Sequence, residues 1–202
     1  MATKLGIYKA ALRLLGPHEL VTVTDDRPER YQLDDAYDDA LAYMLEQGLW
    51  NFAMRSSTVT ESGTTIAGWD YAFPKPSDLV RIAGISYEAT FTQGFEEYQD
   101  QNGKWYANID TLYVRYVSND ASFGLDLTKW PATFTQATAA YLAFQSGLPI
   151  SGDRGNRNDI YSLHKSLLAR AKTLDAVDES VKRHPPGRLV LARLASRSGK
   201  DG

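Results

Sequence analysis

The chain has 202 residues and a formal net charge of −3, with 43% hydrophobic, 23% charged and 11% aromatic residues. This length favours one domain, or one domain that carries an insertion. The absence of cysteine excludes disulfide frameworks, thiolate metal sites and cysteine nucleophiles. No apolar run approaches the roughly 18 residues of a membrane span, and residues 1–15 lack the hydrophobic stretch of a signal peptide. We therefore expect a soluble, intracellular protein.

The charge is distributed unevenly along the chain. Residues 182–202 carry six basic residues and one acidic residue, a net charge of +5, which leaves −8 on residues 1–181. A total charge this close to neutral does not by itself indicate a nucleic-acid-binding protein. An acidic body that carries a basic tail requires a functional explanation.

The first predicted helix follows Thr3, whose side chain can cap it. Apolar residues recur at three- and four-residue spacing from Leu5 to Leu15. Gly16-Pro17 is predicted to end this helix, because glycine suits a left-handed cap and proline cannot continue the helix.

The second predicted helix begins at Pro28, with Asp25-Asp26 as capping acceptors, and ends near Gly48. One face of this helix is apolar. The other face carries four aspartates: Asp34, Asp35, Asp38 and Asp39.

A β-rich region is predicted between residues 51 and 128. Its best hairpin signal is Asn102-Gly103, because both residues accept the positive φ angles of a type I′ turn. Residues 54–60 are rich in serine, threonine and valine, and 62–68 form a glycine- and threonine-rich turn region. The predicted strands are residues 71–74, 79–87, 96–100, 104–107 and 111–117.

Two further helices are predicted after the strands. The first begins at Trp130-Pro131 and runs to about Ser146, apolar over most of its surface, so we expect it to be the central core helix. Gly147-Leu148-Pro149 is predicted to end it. A polar loop from Ser151 to Asn158 then leads into a last helix over residues 159–178.

This element order predicts an α+β fold. Two N-terminal and two C-terminal helices would form a four-helix bundle over residues 1–50 and 129–180, with an antiparallel β-rich insertion over residues 51–128. Residues 181–202 would extend from it as a basic C-terminal arm.

The sequence contains no convincing catalytic, cofactor-binding or metal-binding pattern. The P-loop and the GxSxG nucleophile elbow are absent. Ser162 and Lys165 match the SxxK spacing, but the companion SDN and KTG motifs are missing. His18, His164 and His184 have no metal-ligand spacing. We therefore predict no enzyme, no cofactor and no metal.

The four aspartates of the second helix have three possible roles. They can form a solvated acidic face, a divalent-ion site, or a surface that repels DNA phosphates or contacts a basic partner. The calcium-loop pattern DxDxDG is missing. Asp34 and Asp38, like Asp35 and Asp39, repel each other four residues apart, and the positive end of the helix dipole offsets part of that repulsion.

The basic tail also leaves alternatives open. Its apolar residues suggest a docking arm that becomes ordered on a partner, while non-specific phosphate contact and plain disorder are the other interpretations. The candidate docking residues are Arg188, Leu189, Leu191, Arg193, Leu194 and Arg197.

Several weak features in a fixed order resemble the head-to-tail adaptor (connector) proteins of tailed bacteriophages, in particular the tail tubular protein A, or gatekeeper, family. The resemblance covers about residues 3–178. The segments that carry it are Ala10-Ala11-Leu12-Arg13-Leu14-Leu15-Gly16, Gly48-Leu49-Trp50-Asn51-Phe52-Ala53, Phe73-Pro74-Lys75-Pro76-Ser77-Asp78-Leu79-Val80-Arg81, Leu112-Tyr113-Val114-Arg115-Tyr116-Val117, Trp130-Pro131-Ala132-Thr133-Phe134 and Tyr141-Leu142-Ala143-Phe144.

This resemblance implies a structural virion protein, made in the host cytoplasm and located in the neck of the particle. Its implied partners are its own copies in a ring of about twelve subunits, the portal protein and a downstream tail or nozzle protein, with no membrane. DNA would pass through the ring without specific binding. The acidic helix face would line the channel, and residues 181–202 resemble the arms by which some adaptors grip the portal.

Two other classes remain as alternatives. A cell-wall or nucleic-acid hydrolase associated with a phage particle would need paired acids in a cleft, for which Glu96 and Glu97 or the four aspartates are the candidates. A basic-tailed nucleic-acid-binding module would need a basic or aromatic stripe on the body of the protein.

Overall fold

The computed structural model describes residues 1–178 and has an α+β architecture of four helices and two small antiparallel sheets. Short 3₁₀ turns at residues 51–53 and 127–129 lie at the two junctions between helices and strands. The helices are α1 (Lys4–Leu15), α2 (Pro28–Glu46), α3 (Ala132–Ser151) and α4 (Arg154–Asp178). The strands are β1 (Met54–Thr60), β2 (Tyr71–Pro74), β3 (Leu79–Ser86), β4 (Tyr98–Gln101), β5 (Lys104–Ala107) and β6 (Thr111–Ser118).

Helix α3 is the central helix, as its apolar composition predicts. Helices α1, α2 and α4 all pack against it, and ten of its residues are buried on several faces. The core beside it contains the fully buried rings of Tyr8, Trp50 and Phe134. Because α1 and α2 come from one end of the chain and α3 and α4 from the other, this core is closed only by contacts between distant segments.

The start of α1 is predicted correctly, whereas the predicted cap of α2 is wrong. Thr3 accepts a hydrogen bond from the backbone N–H of Gly6 (3.1 Å), as an N-cap should. The N-cap of α2 is Arg27, which makes no side-chain capping bond. The Asp25 carboxylate instead accepts bonds from the preceding turn, including the N–H of Val21 at 2.6 Å.

The predicted end of α3 is also wrong, because the helix continues through Gly147 and Pro149 to Ser151. Gly147 is a packing residue: a Cβ there would lie 3.0 Å from the Leu15 side chain of α1. Pro149 lies in the last turn, where its missing N–H removes one helical bond near the end. Gly152, with a φ of 68°, forms the left-handed cap.

The predicted polar loop over residues 151–158 is replaced by the first turns of α4. Asp153 accepts the backbone N–H groups of Gly155 (2.8 Å) and Asn156 (3.3 Å), so it serves as the N-cap. The polar residues of this segment therefore cap and cover a helix that begins at Arg154, not at Asp159.

The strands form two sheets with the orders β1-β6-β3 and β2-β5-β4, and every pair is antiparallel. The β4–β5 hairpin is confirmed: Asn102 and Gly103 have φ angles of 50° and 73°, although β4 begins at Tyr98. In the first sheet Thr60 pairs with Thr111, and Ser86 pairs with Tyr113.

This register brings three loops to the sheet end opposite the helices. We call residues 61–70, 87–97 and 108–110 the distal loops. They are tied to each other and to the sheets by backbone N–H donors: Asp70 donates to the Asn108 side chain (2.9 Å), and Phe95 donates to the Ile85 carbonyl (2.8 Å).

The opposite end of the first sheet joins the helices. Arg81 donates to the carbonyl of Glu46 at the end of α2 (2.8 Å). Asn51, just before β1, donates from its backbone and side chain to Asp175 of α4. The molecule therefore has a helical end and a distal loop end, connected by the strands.

Candidate channel and docking surfaces

The four aspartates of α2 divide into two groups with different surroundings. Asp35, Asp38 and Asp39 are exposed to solvent, and we call these three residues the α2 acidic strip. Asp35 and Asp39 border a shallow groove of about 220 Å³ whose other wall is formed by Gln145 and Pro149 of α3. No described lysine or arginine forms an ion pair with the α2 acidic strip. Its negative charge is therefore not neutralised within residues 1–178.

Asp34 belongs to an internal network that joins α1 to α2. Its carboxylate accepts hydrogen bonds from Lys4 (2.9 Å), Tyr8 (2.5 Å) and Arg30 (2.8 Å). Partial burial raises the pKa of Asp34, but these three bonds outweigh it and lower the pKa to about 2. Burial of the ring and the same carboxylate raise the pKa of Tyr8. Asp34 is therefore engaged in the packing of α1 on α2, in contrast to the three exposed aspartates.

A buried histidine connects α2, α3 and α4. His164 is 1% exposed, and its Nδ1 lies 3.1 Å from the carbonyl oxygen of Ala137, so Nδ1 carries the proton that it donates. Its Nε2 is buried and has no hydrogen-bond partner within residues 1–178. The rings of Tyr43, Tyr141 and Tyr161 surround it, at centroid distances of 6.1, 5.0 and 6.3 Å. Burial lowers the pKa of His164, which favours the neutral ring.

The Ser162–Lys165 pair and His18 each make contacts elsewhere in the described part of the chain. Ser162 donates to the Asn158 carbonyl (3.0 Å), whereas the Lys165 ammonium lies over the Tyr161 ring at 4.3 Å. His18 pairs with Glu29 at 3.3 Å. Among residues 1–178 no three histidine, aspartate or glutamate side chains are grouped to hold a metal ion.

A further cavity lies at the C-terminal end of α1. It measures about 520 Å³ and is bordered by Lys9, Arg13 and His18. Lys9 and Arg13 lie four residues apart on α1, and Leu20 is the buried apolar residue beside them.

Glu96 and Glu97, the candidate paired acids, lie in a groove that the sequence did not predict. Both are exposed, and they border two adjoining cavities of about 430 and 440 Å³ between the distal loops. The cavities also contain the rings of Trp69, Tyr87 and Phe95. Because these residues come from separate loops, only strand register brings them together, and no local sequence pattern could have revealed the groove.

The candidate docking residues of the C-terminal arm lie outside the described residues. They are Arg188, Leu189, Leu191, Arg193, Leu194 and Arg197. Within residues 1–178, none of the helices is long and apolar enough to cross a membrane. No protein-family model matches the chain, and no curated protein has a matching sequence.

Proposed function

We propose that this protein is a structural virion component, a ring-forming head-to-tail adaptor between portal and tail through which the phage genome passes. In this proposal it has no catalytic role and needs no cofactor. About twelve copies form the ring in the neck of the particle, above a tail or nozzle protein.

The observation that carries the proposal is the α2 acidic strip. Asp35, Asp38 and Asp39 are exposed and unpaired within the described residues, on a helix whose other face is buried in the core. A negative surface of this kind repels DNA phosphates, because bringing like charges together raises the free energy of contact. In a narrow channel little water separates the two surfaces, so this repulsion is weakly screened. An adaptor requires a channel wall to which the passing DNA does not bind.

The architecture supports the same role. In the proposed assembly α1, α2, α3 and α4 act as one four-helix bundle that contacts neighbouring copies, with the strands as an insertion directed to the tail. The stacked pair Tyr43 and Tyr141 (4.1 Å between centroids) holds α2 against α3. A rigid α2 keeps the α2 acidic strip in a fixed orientation around the ring axis.

The experiment that tests ring formation is mass measurement by light scattering, with negative-stain images of the same sample. We expect the chain to associate weakly alone and to form rings of about twelve copies when the portal ring is added. A monomer that does not assemble in the presence of its portal contradicts the proposal and would redirect attention to hydrolase assays.

The channel role is tested separately by neutralising the strip. Asp35→Asn/Asp38→Asn/Asp39→Asn should leave ring formation intact but increase retention of double-stranded DNA by the assembled ring, most clearly at low salt. The matched control is Asp110→Asn/Asp159→Asn/Asp178→Asn, three exposed aspartates elsewhere on the chain. Equal DNA retention by both triple variants would contradict a channel position for α2.

A further inference from the structure

The distal loops form an aromatic groove that the adaptor role leaves without a function. All three loops contribute to it: Trp69 comes from the first, Phe95 from the second and Ile109 from the third. Trp69 and Phe95 are half-buried, and Tyr87 is 41% exposed. Phe95, Glu96 and Glu97 border both cavities, so the two cavities lie against the same loop segment, and we call them together the distal groove.

Two carboxylates, those of Glu96 and Glu97, border the groove, and the loops that form it are acidic. The three distal loops contain six acidic residues and no lysine, arginine or histidine. Within residues 1–178 none of these carboxylates forms an ion pair. The six residues are Glu61, Asp70, Glu88, Glu96, Glu97 and Asp110.

We infer that this distal groove binds an extended, basic segment of a partner protein, with arginine or lysine side chains over the aromatic rings. Aromatic faces attract cations, and tryptophan attracts them most strongly. The neighbouring carboxylates supply ion pairs and steer a positively charged segment toward the groove. The aromatic rings and the carboxylates both favour a ligand with cationic side chains.

A contact of the same kind exists beside the groove. The guanidinium of Arg115 on β6 lies 5.1 Å from the centre of the Phe91 ring in the second distal loop. The loop aromatics therefore already hold one arginine of the chain itself, while Trp69 and Tyr87 have no described cation over their rings.

Other ligand classes fit less well. Nucleic acid would bring phosphates close to Glu96 and Glu97, in loops that carry no basic residue, and would be repelled. A neutral oligosaccharide can stack on aromatic rings, but it leaves the negative charge of the loops uncompensated. Two cavities against one loop segment can each receive a side chain of an extended peptide.

Trp69 provides a direct signal for binding in the full-length protein. It is half-buried, whereas Trp50, Trp105 and Trp130 are at most 6% exposed. A ligand that covers the groove will therefore change mainly the fluorescence of Trp69. The probe is a ten-residue peptide of alternating arginine and serine, compared with the same peptide carrying glutamine in place of arginine. We expect a saturable change with the arginine peptide that weakens with salt, and none with the glutamine peptide.

Variants locate the site. Glu96→Gln/Glu97→Gln should weaken binding of the arginine peptide by about fivefold, as expected for two exposed ion pairs. Asp159→Asn/Asp178→Asn on α4 is the matched control, since both residues are exposed and lie outside the groove, and it should leave the affinity unchanged. The inference is overturned by any of three results: no saturable signal, equal weakening by both double variants, or binding of a neutral cello-oligosaccharide without binding of the peptide. None of these outcomes depends on whether the chain forms rings.

Discussion

Asp78 joins all three strands of the first sheet, although the sequence marks it only as the residue before a strand. Its carboxylate accepts bonds from Arg55 of β1 (2.8 Å) and from Tyr116 (3.0 Å) and Ser118 of β6. Burial raises the pKa of Asp78, but these bonds outweigh it and lower the pKa below its usual value. The ionised carboxylate is therefore part of the folded structure.

Removing this carboxylate should destabilise the protein strongly. Asp78→Ala leaves three donors without their acceptor at a site that is only 17% exposed, and we expect a loss of about 2–4 kcal/mol in the free energy of unfolding. Urea unfolding followed by circular dichroism measures it. Asp100→Ala is the control, because its ion pair with Lys75 is exposed and should contribute less than about 1 kcal/mol. Similar losses in both variants would contradict this account.

Gly124 lies where the backbone leaves no space for a side chain. Its N–H donates to the Ser118 carbonyl and its own carbonyl accepts from Trp130, so the loop after β6 passes very close to the strand. A Cβ at Gly124 would lie 2.2 Å from the Ser118 carbonyl oxygen and 3.2 Å from Leu45.

The substitution Gly124→Ala should therefore cost about 3 kcal/mol of stability, because the backbone contact cannot relax without moving the loop. The control is Gly84→Ala, where a Cβ would meet no atom within 4 Å. We expect the thermal midpoint of the control to stay within a few degrees of the parent. A Gly124→Ala protein that unfolds at the parental temperature would show that the loop is not held against Ser118.

Among the helices, α4 depends on a histidine that is neutral when buried. His164 faces Tyr43 of α2, Tyr141 of α3, and Tyr161 and Lys172 of its own helix, with no carboxylate among the groups that shift its pKa. Its pKa in the folded protein lies below the ordinary value of about 6.5. The unfolded chain therefore binds a proton that the folded chain excludes as the pH falls below about 6.5.

This gives a pH dependence with a definite sign. The stabilisation due to neutral His164 is complete above about pH 6.5 and decreases as the pH falls toward 5. In His164→Gln, which keeps a donor for the Ala137 carbonyl but does not titrate, the thermal midpoint should change less between pH 7.5 and 5. Ser162→Ala, on the exposed face of the same helix, removes no titratable group and is the comparison that should retain the parental slope. A parental slope in His164→Gln would show that His164 is not responsible.

Sequence patterns within single segments were largely sufficient to predict the helices and strands. Thr3 predicts the start of α1, Asn102-Gly103 predicts the hairpin, and the apolar surface of α3 predicts its central position. The errors have two sources: a tertiary contact at Gly147 and competing local hydrogen bonds at Asp25. Gly147 was predicted to end the helix because its packing against Leu15 is not visible in the sequence. Asp25 was predicted to cap α2, but its carboxylate bonds to the preceding turn, which is as near in sequence as the helix.

At the scale of the whole molecule, the candidate surfaces were only partly accessible to sequence reasoning. The acidic face of α2 was evident from spacing, but the separation of Asp34 from the α2 acidic strip depends on Tyr8 and Lys4 of another helix. The distal groove was not predicted, since it is assembled from three loops by strand register. Periodicity in the sequence describes a single helix or strand. The separation of Asp34 from the α2 acidic strip and the distal groove both depend on contacts between elements.

The basic arm belongs to this scale, because its proposed role concerns assembly. Deleting residues 184–202 should leave the thermal midpoint and circular dichroism spectrum nearly unchanged, since the cores described above lie within residues 1–178. Docking on the portal ring, measured by co-sedimentation, should weaken and lose its salt dependence. A charge-neutral variant, Arg188→Gln/Arg193→Gln/Arg197→Gln, separates charge from length. Undiminished docking of the deletion variant would contradict the arm hypothesis.

The order of the elements has a consequence for synthesis on the ribosome. Helices α1 and α2 are complete by Glu46, but the α3 surface on which both pack begins only at Ala132. The apolar faces of the first two helices therefore remain exposed while the β-rich segment is translated. At about 5–20 residues per second this takes several seconds. The nascent chain at that stage is the form most prone to aggregation and the one a chaperone would meet first.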